Sequence, residues 1–147
     1  MSVVGIALLV SCWTMNSRYQ TLTPLNLPGT GSMRMVEEEA VVLRQLVAQA
    51  GESDTLFVNT GLNSLLLWSN EMPAGGVVFN HSTRFLSPEQ QRDIRLAIQS
   101  SERPLVVMVD NRWSEGGGSY TELENWLNRT FTETGRLGRY VLMQSTH

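Results

Sequence analysis

Residues 104–109 (Pro-Leu-Val-Val-Met-Val) set five consecutive bulky apolar side chains behind a proline. A run this short is strand length, and a strand with one wet face would alternate polar and apolar positions; unbroken apolarity asks for cover on both faces. The rest of the chain must therefore supply layers on either side of a sheet. Three more segments read as strands of the same kind: Asp54–Asn59 (DTLFVN), Val77–Phe79 behind the Gly75-Gly76 pair, and Tyr140–Met143 (YVLM).

Helical patterns alternate with these runs. Met33–Ala50 aligns Val36, Ala40, Leu43, Leu46, Val47 and Ala50 on one stripe, puts Glu37, Glu38 and Glu39 where the helix dipole favours negative charge, and meets a stop at Gly51. Gly61–Ser69 reads as a short helix. Ser87-Pro88-Glu89-Gln90 opens another that runs to about Ser101, with Ser87 as N-cap, Pro88 in the first turn and Gln90 three residues after the cap. Tyr120–Phe131 places Leu123, Trp126 and Leu127 on one face. The order α-β-α-β-α-β-α-β predicts an α/β fold: a small three-layer, Rossmann-like domain over residues 33–147 with a mostly parallel four-stranded sheet.

Two segments precede that domain. Gln20–Ser32 carries two prolines and two glycines without a helical period, and reads as an extended connector. Residues 1–19 contain the uncharged run Val3–Trp13, too short to cross a bilayer alone, since a spanning helix needs about 20 residues. It can be a buried core element, a signal sequence with a lipoprotein-like Leu9-Val10-Ser11-Cys12, or the outer end of a transmembrane helix that begins upstream. Met1-Ser2 offers no basic residue for a signal, whereas Trp13 and Tyr19 suit a membrane–water boundary, so the expectation is a membrane-proximal segment.

Composition excludes several functions. Of 147 residues 41% are hydrophobic and 17% charged, enough to bury a core. The eleven basic residues are all Arg and are scattered, which argues against a nucleic-acid surface. One cysteine, Cys12, and two histidines, His81 and His147, leave no metal centre of the Cys or His type, and no cofactor is implied. The triple-Glu run is explained by the helix dipole.

Ligands of open parallel sheets bind at the carboxyl ends of the strands. There the loops hold Asn59, Asn63, His81, Arg84, Asp110 and Arg112, the candidate ligand-binding residues, although turn and cap chemistry accounts for the same residue types. A His81–Asp110 pairing is conceivable. No G-x-G-x-x-G, P-loop lysine or G-x-S-x-G elbow occurs, and the Gly116–Gly118 tract has no patterned spacing, so no catalytic residue is assigned.

Read together, PLNLPGTGSMRM, DTLFVNTGLNSLLLWSNEMPAGG, FLSPEQQRDIRLAI and RPLVVMVDN resemble the soluble C-terminal tail of bacterial polytopic membrane glycosyltransferases, similar to the dolichyl-phosphate-mannose mannosyltransferase relatives. The similarity covers about Pro24 to Asn111, with Gly61–Ser64, Trp68 and Pro88–Gln91 its most specific pieces. It implies a small α/β domain outside the cytoplasm, following a many-helix membrane part. Catalytic acids of such transferases lie near their first membrane helices, so none transfers to these residues, and the loop after Phe79 departs from the proline- and aromatic-rich pattern of relatives.

The resulting expectation is a non-catalytic accessory domain at the outer face of the membrane, partnered with the transmembrane part of a glycosyltransferase. The alternative is a stand-alone α/β protein that binds a nucleotide or phosphosugar at the strand carboxyl edge.

Overall fold

The computed structural model describes residues 19–59, 62–78, 83–109 and 121–145, with Arg84 described by its backbone alone. The Val3–Trp13 run, and the choice among its three readings, lies outside these residues. Among those described, no helix is long and apolar enough to cross a membrane. The structure divides after Arg44 into two compact units, a boundary that falls inside helix α1 (Glu37–Ala50).

In the first unit, the expected extended connector is a small hairpin. Strands β1 (Thr23–Pro24) and β2 (Arg34–Met35) pair antiparallel, Thr23 opposite Met35. Asn26, Gly29 and Gly31 adopt positive φ between them, and the two glycines make this reversal inexpensive. Thr30 closes the loop by donating its hydroxyl to Leu27 O at 2.6 Å while accepting from Leu27 N–H. Tyr19 Oη donates to Ser32 O at 2.6 Å, and the Arg34 guanidinium lies 5.4 Å from the Tyr19 ring centroid. α1 begins at Glu37, four residues later than the stripe predicts.

The second unit is built on a four-stranded sheet in the order β3 (Thr55–Asn59), β4 (Pro104–Val109), β6 (Tyr140–Ser145), β5 (Phe131–Leu137). Only β3 and β4 are parallel; β6 is antiparallel to both β4 and β5. This corrects the expected mostly parallel, Rossmann-like sheet to a mixed one that is mostly antiparallel. Two local features cause the difference. Val77 and Val78 form no strand: they leave a 3-10 turn at Ala74–Gly76, and Phe79 lies outside the described residues. A strand that the apolar runs do not announce, β5, follows helix α4 (Glu122–Thr130) directly and turns into β6 through Gly138 (φ +56) and Arg139.

Pleat alternation buries both faces. Phe57, Val106, Met108, Val141 and Met143 share one face, against which pack Ile94 and Ile98 of α3 (Pro88–Ser100) and Leu123, Trp126 and Leu127 of α4. Leu56, Val58, Leu105, Val107 and Leu142 point the other way and are equally buried. Helix α2 (Ser64–Ser69) and the 3-10 turn flank β3, whose outer edge is bridged at Leu56 by Pro73. On the opposite edge, a register shift between Glu133 and Gly135 and the Glu133–Arg136 ion pair at 3.3 Å blunt β5 against further strand pairing.

Asp54 and Arg103 tie β3 to β4 at their starts. Arg103 donates to the Asp54 carboxylate from its backbone N–H at 3.1 Å and from Nη2 at 2.6 Å, while Asp54 N–H donates to Arg103 O. The Arg103 side-chain hydrogen bond holds the Asp54 carboxyl below its ordinary value of 3.8. A lowered folded-state value contributes stability above that ordinary value, and the contribution disappears as pH falls through the lowered one. Urea titrations of the protein and of Asp54→Asn should therefore differ at neutral pH and converge in strong acid. A difference independent of pH would assign the effect to packing instead.

Candidate functional site at the carboxyl edge of the sheet

β3 ends at Asn59 and β4 at Val109, so both finish on one edge. α3 ends at Ser100 just before β4 starts, and α4 ends at Thr130 just before β5 starts, a strand parallel to β4 because each opposes β6. Both helices therefore begin toward the carboxyl edge, where their positive dipole ends would favour an anion.

Those helix starts are already engaged. At α3, Gln90 N–H donates to Ser87 Oγ at 3.2 Å and Ser87 N–H donates to Gln90 Oε1 at 2.8 Å, while Pro88 at the first position has no N–H. At α4, Glu124 N–H donates to Thr121 Oγ1 at 3.2 Å and Thr121 N–H donates to Glu124 Oε2 at 2.8 Å. Leu123 N–H donates to Gln91 Oε1 at 3.4 Å, and Gln91 Nε2 donates to Leu86 O, so one side chain bridges the two starts. A phosphate would have few backbone donors left.

The Glu124 carboxylate also occupies the charge position that an anionic ligand would take. It is fully buried, and its Oε1 accepts the Thr83 hydroxyl. Thr83 opens the 3-10 turn Thr83–Phe85, so this cluster docks that turn onto the start of α4. Thr83, Thr121 and Glu124 were absent from the sequence candidates, yet Thr121-Glu-Leu-Glu124 has the same box spacing that marks Ser87–Gln90.

Of the predicted ligand residues, Asn59 and Asn63 are brought to the carboxyl end of β3. Asn59 is 9% exposed, and its Nδ2 has no hydrogen-bond partner among the described residues, an uncommon state for a buried amide. Asn63 sits half-buried at the N-cap of α2 in helical backbone without a capping side-chain bond, beside a small gap bordered by Leu56, Pro73 and Val77. The Arg84 backbone lies in the 3-10 turn with Thr83. His81, Asp110 and Arg112 lie outside the described residues, as does the His81–Asp110 pairing.

A broad cleft of about 880 Å³ runs between the starts of α3 and α4. Its cations are balanced: Arg92 lies 3.8 Å from Glu89 and 3.6 Å from Asp93, and Arg95 stacks 5.3 Å from the Trp126 ring centroid. Among the described residues, no three His, Cys, Asp or Glu side chains are grouped to hold a metal ion. Fold and edge together define a small mixed α/β domain whose helix starts are internally capped. No protein-family model, curated protein or solved structure matches the chain.

Proposed function

We propose that this chain is a non-catalytic accessory domain of a membrane glycosyltransferase-like protein, located at the outer face of the membrane in the bacterial periplasm or at the cell surface, and that it acts by contact. The carrying observation is the apolar exposure of the segment that joins β3 to α3. Leu67 is 70% exposed, Met72 73%, Val78 59% and Phe85 82%. Methionine and aromatic side chains are enriched where proteins meet partners, and leaving several in water along one connection favours a covered surface. The sequence resemblance over Pro24–Asn111 supplies the kind of partner: the membrane-embedded part of a transferase.

A second reading, binding of a nucleotide or phosphosugar at the carboxyl edge, rests on the unpartnered Asn59 amide. The occupied starts of α3 and α4 weigh against a phosphate there, so contact is the leading reading.

A photo-reactive benzoylphenylalanine in place of Phe85 or Met72, in the full-length protein in its native membrane, tests both. The expected result is an adduct with a polytopic glycosyltransferase segment, and no adduct from the same probe in place of Arg136 on β5. No adduct from either position rejects the contact reading. Thermal stabilisation by a nucleotide or sugar phosphate that Asn59→Leu abolishes would replace it with the second.

A further inference from the structure

The amino edge of the sheet carries a second concave feature, a cleft of about 380 Å³ between the last turns of α3 and α4 and the start of β5. We propose that this cleft binds a small organic ammonium ion, a positively charged amine attached to a compact apolar body.

Three observations carry the inference, independently of the function proposed above. The first is an apolar wall. Ile98, Trp126 and Phe131 are core side chains that border the cleft, and the two rings meet edge to face at 5.8 Å and 70°, a packed surface against which an apolar group can rest.

The second is a polar group without a partner. Ser101, the residue that ends α3, has its Oγ shut off from solvent and makes no hydrogen bond among the described residues. A desolvated hydroxyl left in this state is unfavourable, and it borders the same cleft. An ammonium N–H would find an acceptor there.

The third is charge. α3 and α4 both present their carboxyl ends, the negative dipole ends, to this edge, and α3 has no basic residue in its last turn. Glu102 borders the cleft, and Glu52 and Asp54 lie at the same edge. Arg103 is held by Asp54 at 2.6 Å. Arg129, in the last turn of α4, is exposed and does not border the cleft. The balance is acidic, which selects a cation over an anion of the same shape.

The test uses three probes of matched shape on the full chain: 2-phenylethylammonium, 2-phenylethanol and 3-phenylpropanoate. Binding is read from backbone amide resonances in a titration. The ammonium probe should shift Ser101, Glu102 and Thr130 to saturation, the alcohol should bind more weakly, and the carboxylate should leave these amides unmoved. Ser101→Ala and Glu102→Gln should each weaken the ammonium probe roughly three- to tenfold. Ser101→Ala should fold as well as the parent, because the hydroxyl it removes has no partner. Shifts spread over the whole surface, equal response to the carboxylate, or unchanged affinity in both variants would overturn the proposal.

Discussion

Glu124→Ala is expected to lower the folding stability by about 2–4 kcal/mol, read as a shift in the urea midpoint with an unchanged slope. The side chain is fully buried, accepts the Thr83 hydroxyl through one oxygen and the Thr121 N–H through the other, and places its charge in the first turn of α4. Alanine would leave two donors without an acceptor in a place water does not reach, and would vacate the space a carboxylate filled. Glu124→Gln separates the contributions. Its amide oxygen can accept one of the two bonds, but its NH2 must face the other donor, and the dipole interaction is lost, so an intermediate loss is expected. Equal stability of the parent and the alanine variant would show that the cluster is not structural.

Gly75→Ala is expected to cost a similar amount, about 2–4 kcal/mol, for a steric reason. Gly75 has φ +64, and a Cβ there would stand 2.7 Å from Ile94 N and 2.8 Å from Asp93 C. Those atoms belong to the backbone of α3, which cannot yield without displacing Ile94 and Ile98 from the core. Gly76 supplies the control. It has φ +68 but nothing within 4 Å of the added carbon, so Gly76→Ala should show backbone strain alone, about 1 kcal/mol. Equal losses at the two positions would mean that the close approach of the turn to α3 is not what the glycine serves.

Much of the local structure could be read directly from residue order. The apolar 104–109 run is β4, and the Ser87–Gln90 box opens α3 with both reciprocal bonds in place. The topology was less legible, because strand direction is not written in apolar runs. β5 (FTETGRL) is polar at most positions since its outer edge and much of its surface face water, and it hides behind the amphipathic pattern of α4. Its signal was the two-residue Gly138-Arg139 turn between Leu137 and Tyr140. Val77-Val78 carries strand propensity, yet the positive φ of Gly75 and Gly76 sets that segment in a turn instead. The hairpin of the first unit was missed because Pro24, Gly29 and Gly31 signal loop and reversal alike.

The candidate site was legible only where a residue ends a strand. Asn59 could be placed at the carboxyl edge from the apolar run that precedes it. The Thr83–Glu124 contact joins residues 41 apart, a proximity that spacing along the chain does not encode. Ser101 belongs to the opposite edge, where parallel-sheet reasoning gives no cause to look.

The position of β6 between β4 and β5 has a consequence for synthesis. β4 emerges from the ribosome with one long side satisfied by β3, and its other side must wait until α4, β5 and the tight turn have been translated. During that interval Val106, Val107 and Met108 form a sticky, unfinished margin with open peptide groups. Maturation of this domain is thus gated by the arrival of a late central strand, and a nascent chain halted before Tyr140 would present that margin to chaperones or to its neighbours.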